Sequence, residues 1–187
     1  MKSSGIKTST VLASFLLAAC LSMHAEVKLP AIFSDGMVMQ QQTNANLWGT
    51  ATPNKKVTVT TGWNGKQYAV TADKNGSWKL SVSTPEAGGP YTITFDDGTP
   101  KTLNNILIGE LWLCSGQSNM EMPMKGFKNQ PVENANMDIL RSKNPHIRLF
   151  TVKRTSTITP QNDVVGSWKE AAPVSVRDFS ATAYYFG

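Results

Sequence analysis

The chain of 187 residues is long enough for one ordinary domain or two small ones, and its 40% hydrophobic and 17% charged content fits a globular protein rather than a disordered one. The formal charge is +5, but the basic residues are scattered, with Lys55-Lys56 and Lys153-Arg154 the densest pairs; without Lys2 and Lys7 the balance is 16 basic against 13 acidic residues. A nucleic-acid-binding surface would cluster Lys and Arg, so this distribution excludes that class and fits a solvated mixed-charge surface.

Residues 1–25 read as a signal peptide. Lys2 and Lys7 make a basic n-region, and Val11 to Leu21 is an apolar h-region too short to span a bilayer. Two processing routes fit. Cleavage after Ala25 would leave Glu26 as the mature terminus, although Met23 is large for the −3 position. Alternatively, Leu17-Ala18-Ala19-Cys20 matches a bacterial lipobox, in which Cys20 would carry a lipid anchor. Both imply export, to the periplasm, the outer membrane or the exterior. With Cys20 removed or acylated, Cys114 stands alone, so neither an intramolecular disulfide nor a Cys-rich metal site is expected.

From Glu26 to about Asn105 the pattern is β. Val57–Thr61, Tyr68–Ala72, Trp78–Val82 and Tyr91–Phe95 are short, alternating and β-branched or aromatic. Asn64-Gly65, Asn75-Gly76, Gly88-Gly89-Pro90 and Asp96-Asp97-Gly98 separate them with turn chemistry. This spacing predicts a small antiparallel β-sandwich over 26–105.

The pattern changes at Ile106. Ile106–Leu113 is nearly all apolar and predicts a strand buried on both faces, as in a parallel sheet. A small, polar segment follows, Cys114-Ser115-Gly116-Gln117-Ser118-Asn119-Met120. Pro131 to Lys143 predicts a helix with Ala135, Ile139 and Leu140 near one face, stopped by Asn144-Pro145. Ile147–Val152 predicts another strand. Phe179–Phe186 could open a helix, and an apolar run uncapped at Gly187 suggests a truncated chain. The expected organisation is therefore a signal peptide (1–25), a β-sandwich-like domain (26–105) and the incomplete start of an α/β domain with a parallel sheet (106–187).

A buried strand leading into Gly116-Gln117-Ser118 suits a serine nucleophile, because the strand end holds the Ser and the turn lifts its hydroxyl above the sheet edge. The segment lacks the second Gly of a Gly-x-Ser-x-Gly elbow, so on spacing alone a turn-forming serine is the competing reading. Gln117 and Asn119 could touch substrate or hydrogen-bond the turn backbone. Met120, Met122 and Met124 could line an apolar pocket or pack, and the five Trp could stack on sugars or anchor the sheet. Of the two histidines, His24 lies in the leader and His146 reads as a surface residue. His and Cys are too few, and the carboxylates too dispersed, for a metal site.

The string from Gly109 to Met122, Gly-Glu-Leu-Trp-Leu-Cys-Ser-Gly-Gln-Ser-Asn-Met-Glu-Met, resembles the first conserved block of the sialate O-acetylesterases, a family of the SGNH (GDSL-like) hydrolase superfamily. Leu29–Gln40, Gly88-Gly89-Pro90-Tyr91, Ile147–Phe150 and Phe179-Ser180-Ala181 resemble further family segments in order, so the likeness spans residues 27 to 187. The resemblance implies an SGNH-type α/β hydrolase domain and an esterase that removes acetyl groups from O-acetylated glycans or sialic acid, without a cofactor. It makes Ser118 the acyl-accepting nucleophile, with its own N–H as one oxyanion donor. The remaining donors and a His base near an Asp would come from later blocks that these residues do not contain, so the 187 residues alone should be inactive. The competing expectation is a complete, non-catalytic glycan-binding or accessory envelope module.

Overall fold

A computed structural model describes residues 26–187; the expected leader, with Cys20 and Ala25, lies outside the described residues. Seven strands come first: β1 (Val38–Gln40), β2 (Asn44–Thr50), β3 (Lys56–Thr61), β4 (Gln67–Thr71), β5 (Ser77–Ser83), β6 (Gly88–Asp96) and β7 (Pro100–Gly109). They form a five-stranded mixed sheet, in the order β1-β7-β6-β3-β4, and a two-stranded antiparallel ribbon, β2-β5. Alternation dictates what faces inward. Val57 and Val59 of β3, Ile93 and Phe95 of β6, Leu47 of β2, and Trp78 and Val82 of β5 meet in one buried cluster between the two layers.

The turns act as their chemistry requires. Asn64 Oδ1 accepts the Thr61 hydroxyl and the Lys66 N–H, closing the β3–β4 hairpin around Gly65, whose φ is +67°. Gly98 N–H donates to Asp96 Oδ1 in the β6–β7 hairpin. Asn75-Gly76 instead carries the chain from one layer to the other, since β4 pairs with β3 and β5 with β2.

The apolar run at Ile106 corrects the sequence reading. It is not a separate strand running to Leu113. Ile106, Leu107 and Ile108 complete β7, which pairs antiparallel with β6 and, at Val38↔Leu107 to Gln40↔Gly109, parallel with β1. Ile106 and Ile108 enter the β core, while Leu107 is covered on the other face by the backbone around Gly89. Regular structure ends at Gly109, and Leu113 is 92% exposed. The hairpin before β7 has already committed this stretch to the first sheet, so the strand runs through the expected boundary at 105/106. A parallel pairing exists here, but its partner is β1.

The rest of the chain forms α1 (Ser118–Glu121), α2 (Ala135–Arg141), β8 (Asn144–Phe150), β9 (Trp168–Ala171), α3 (Pro173–Val176) and α4 (Ala181–Phe186). β8 and β9 pair antiparallel. Met124, Leu149, Ala171, Val176 and Ala181 make a second, smaller buried cluster. The helix expected from Pro131 starts only at Ala135, because Asn134 takes a left-handed conformation, φ 57°, that no helix interior accepts. Ala135 is buried, but Leu140 is 67% exposed rather than part of an apolar face. Asn144-Pro145 opens β8 directly.

Candidate active site

The Ser118 segment is held at both ends. At its start, Gln40 Nε2 and Gln41 Nε2 donate to the two carboxylate oxygens of Glu110, at 3.0 and 2.6 Å, and Leu111 N–H donates to Gln40 Oε1. These bonds favour the charged carboxylate and hold the Glu110 pKa below its ordinary value. The chain then runs without regular structure to Gln117. Along it, Trp112 stands edge-on to Phe186, with ring centroids 5.1 Å apart, and Cys114 is a half-buried free thiol.

At Gln117 the chain turns into α1. The Gln117 carbonyl accepts the N–H groups of Met120 and Glu121, and the Ser118 carbonyl accepts that of Met122. A Cβ on Gly116 would lie 3.0 Å from Met120 Cγ, so glycine lets the turn close onto that side chain. Ser118 is the first residue of α1 and is exposed. Its N–H, as the first of a helix, has no intrahelical acceptor.

The end of α1 is clamped from the far side of the sequence. Ala181 N–H donates to Met122 O, Met124 N–H to Phe179 O and Lys125 N–H to Arg177 O, so residues 122–125 run as a ladder against 177–181. The Thr182 hydroxyl donates to the Asn119 carbonyl at 3.0 Å, and Arg154 pairs with Glu121 at 2.7 Å. Lys125 and Asp178 form an ion pair at 2.5 Å, and the hydrogen bond from Lys125 lowers the Asp178 pKa. These partners were not apparent from the sequence, because nothing local marks them. The only pointer was Phe179-Ser180-Ala181, which stood out as a segment and proves to be one rail of the ladder.

The predicted site residues fare differently. Ser118, Gln117 and Asn119 sit together at the exposed mouth of this turn. Gln117 and Asn119 support the turn through their carbonyls, and among the described residues neither side chain bonds the backbone. His146 is exposed on β8, its N–H donating to Asn144 Oδ1, and no hydrogen bond joins its ring to Ser118. Met124 is fully buried in the second cluster, so it packs rather than lining a pocket; Met120 and Met122 are half-buried. Among the described residues no group of His, Cys, Asp and Glu is placed to hold a metal ion. The arrangement offers an accessible serine hydroxyl, a free helix-first N–H beside it and a rigid backbone beneath. Those are the parts that acyl transfer asks of a nucleophile loop, short of a base.

No family model matches the chain. Sialate O-acetylesterase from Mus musculus is 33% identical over 150 residues, covering 73% of this chain and 27% of the relative. The Homo sapiens protein of the same name is 28% identical over 148 residues, 74% of this chain and 28% of the relative. Among solved structures, a carbohydrate acetylesterase from Xanthomonas citri superposes with a TM-score of 0.78 at 31% identity, over 86% of this chain and 36% of that one. The chain thus spans little more than a quarter of the length of the curated relatives it matches.

Proposed function

We propose that this chain, which belongs to the sialate O-acetylesterase-like family, carries the nucleophile of a carbohydrate O-acetylesterase, and that the nucleophile is Ser118. One observation carries the reading. Within the string Gly109–Met122, Ser118 is exposed on a turn fixed by β1 and β7 before it and by the 177–182 segment after it. Rigid support is what a nucleophile needs, since a misplaced hydroxyl loses the advantage of proximity.

In this mechanism Ser118 Oγ attacks the acetyl carbonyl while a base takes its proton. The Ser118 N–H stabilises the oxyanion. The sugar oxygen leaves with a proton, the acetyl group stays on Ser118, and water then releases acetate. The base is a His oriented by an Asp, supplied by the part of the polypeptide that these 187 residues do not include; the share of the relatives' length left uncovered supports that placement. An O-acetylated sialic acid is the proposed substrate, following the relatives' name.

The test is hydrolysis of an aryl acetate and of an O-acetylated sialic acid by the full-length protein and its Ser118→Ala variant. The variant should lose activity on the order of a million-fold, because nucleophile and base act as a unit. The 187 residues alone should stay near background. Retention of most of the rate by Ser118→Ala would end the nucleophile assignment.

A further inference from the structure

Away from Ser118, a cleft of about 520 Å3 opens on the β2–β5 ribbon and is closed on one side by the loop around Asn162 and Asp163. Its wall is unusual for the outer face of a sheet. In the ribbon register Trp48 is opposite Lys79 and Thr50 opposite Ser77, so these four share one face, while Leu47, Trp78 and Val82 point into the core. Trp48 is half-buried and packs against the β core while also lining the cleft. Its indole is fixed from two directions: Phe33 stands edge-on at 4.5 Å, and the Trp48 N–H donates to the Asn162 carbonyl at 3.0 Å.

Three further features show what such a cleft would hold. Lys28 and Lys79 both line it, both are exposed, and neither forms an ion pair among the described residues. Asp163, held at the cleft edge by the Ala31 and Val164 N–H groups, each at 2.7 Å from its Oδ1, leaves the two lysines with one net positive charge. Thr50 and Ser77, both exposed, add hydroxyls on the same face. The cleft thus presents an oriented indole, two lysines against one aspartate, and hydroxyls from Thr50 and Ser77. A purely apolar ligand would leave these polar groups desolvated, and a bare inorganic anion would gain nothing from the indole.

We propose that this cleft is a subsite for a carboxylate-bearing sugar, separate from the Ser118 turn. The ring would lie against Trp48, its carboxylate near Lys28 and Lys79, its hydroxyls near Thr50 and Ser77. The proposal rests on the glycan reading for the nature of the ligand, but not on Ser118 being the nucleophile. Pre-fixing the indole lowers the ordering cost of binding.

A sialyl-lactose trisaccharide titrated into the full chain, followed by calorimetry, tests it, with lactose and inorganic phosphate as controls. Sialyl-lactose should bind more tightly than lactose, phosphate should not displace it, and added salt should weaken it. Lys79→Glu reverses an exposed charge without touching the core and should weaken binding roughly tenfold. Wild-type affinity in both Lys79→Glu and Lys28→Glu would overturn the proposal, as would equal binding of lactose. Displacement by phosphate would show an anion site without sugar recognition and overturn it too. The two readings fail separately: an active Ser118→Ala protein sinks the esterase assignment, whereas unaltered sialyl-lactose binding by the lysine variants sinks only the cleft.

Discussion

Tyr185 shows how one hydrogen bond reaches from a residue to the pH behaviour of the fold. Its hydroxyl donates to Asp138 Oδ2 at 2.6 Å, tying α4 to α2, and that bond raises its pKa from 10.0 to about 12. The folded state therefore holds its proton longer than the unfolded chain. The stabilisation is fully present below pH 10 and is lost as pH rises from 10 towards 12. Because Tyr185 is half-exposed, the effect on stability is small, and the phenolate absorbance is the better readout. Tyr185 should titrate above the ordinary tyrosine range, and Asp138→Asn should return it towards that range; an unchanged titration in that variant would rule out the bond. Ser118 stands out as a candidate in the sequence because its neighbours form a long uninterrupted string. Thr182, 63 residues from the Asn119 carbonyl it bonds, and Arg154, 33 residues from Glu121, do not, because only the folded chain brings them there.

Within single elements, glycines set the tolerances. Gly49 on β2 lies opposite Trp78 on β5, and a Cβ there would sit 2.4 Å from the Lys28 carbonyl oxygen and 3.0 Å from the Trp78 ring. Backbone and a packed indole cannot yield, so Gly49→Ala should cost about 2 kcal/mol. Gly116→Ala meets only the flexible Met120 side chain and should cost less than about 1 kcal/mol. Urea unfolding of the two variants makes the comparison, and equal losses would contradict it. Four strands, β3 to β6, were readable from alternation and turn residues. β2, Asn-Ala-Asn-Leu-Trp-Gly-Thr, was not, since a single fully buried side chain followed by a half-buried Trp and Gly leaves no clear period to detect. Ile106–Leu113 misled for the opposite reason. Three buried residues in a row came from packing on two faces of the first sheet, and the same pattern would open a new parallel one.

Across the molecule, the two buried clusters are joined by a small set of side chains. Trp168 packs on the β core and its indole N–H donates to the Ile32 carbonyl at 2.8 Å. Arg148 on β8 has a side chain only 2% exposed; it pairs with Glu170 at 3.3 Å, donates to Asn105 Oδ1 on β7 and to the Pro145 carbonyl, and leaves its Nε without a partner. Removing Glu170 would strand a buried cation, so Glu170→Ala should cost about 2 kcal/mol, less than for a fully buried pair because Glu170 is half-exposed. Arg148→Met, which also removes the unpaired Nε, should be milder relative to the number of bonds lost, and a thermal melt in which Glu170→Ala is silent would refute this account. The course of β7 bears finally on how such a protein can be cut and recombined. A gene split at 105/106, where the composition changes, would tear Ile106 and Ile108 from the β core and deliver the Ser118 turn without the two glutamines that anchor its start. Grafting this turn onto another scaffold, or exchanging the β unit between homologues, therefore requires β1 and β7 to travel as one inheritance with the serine they present.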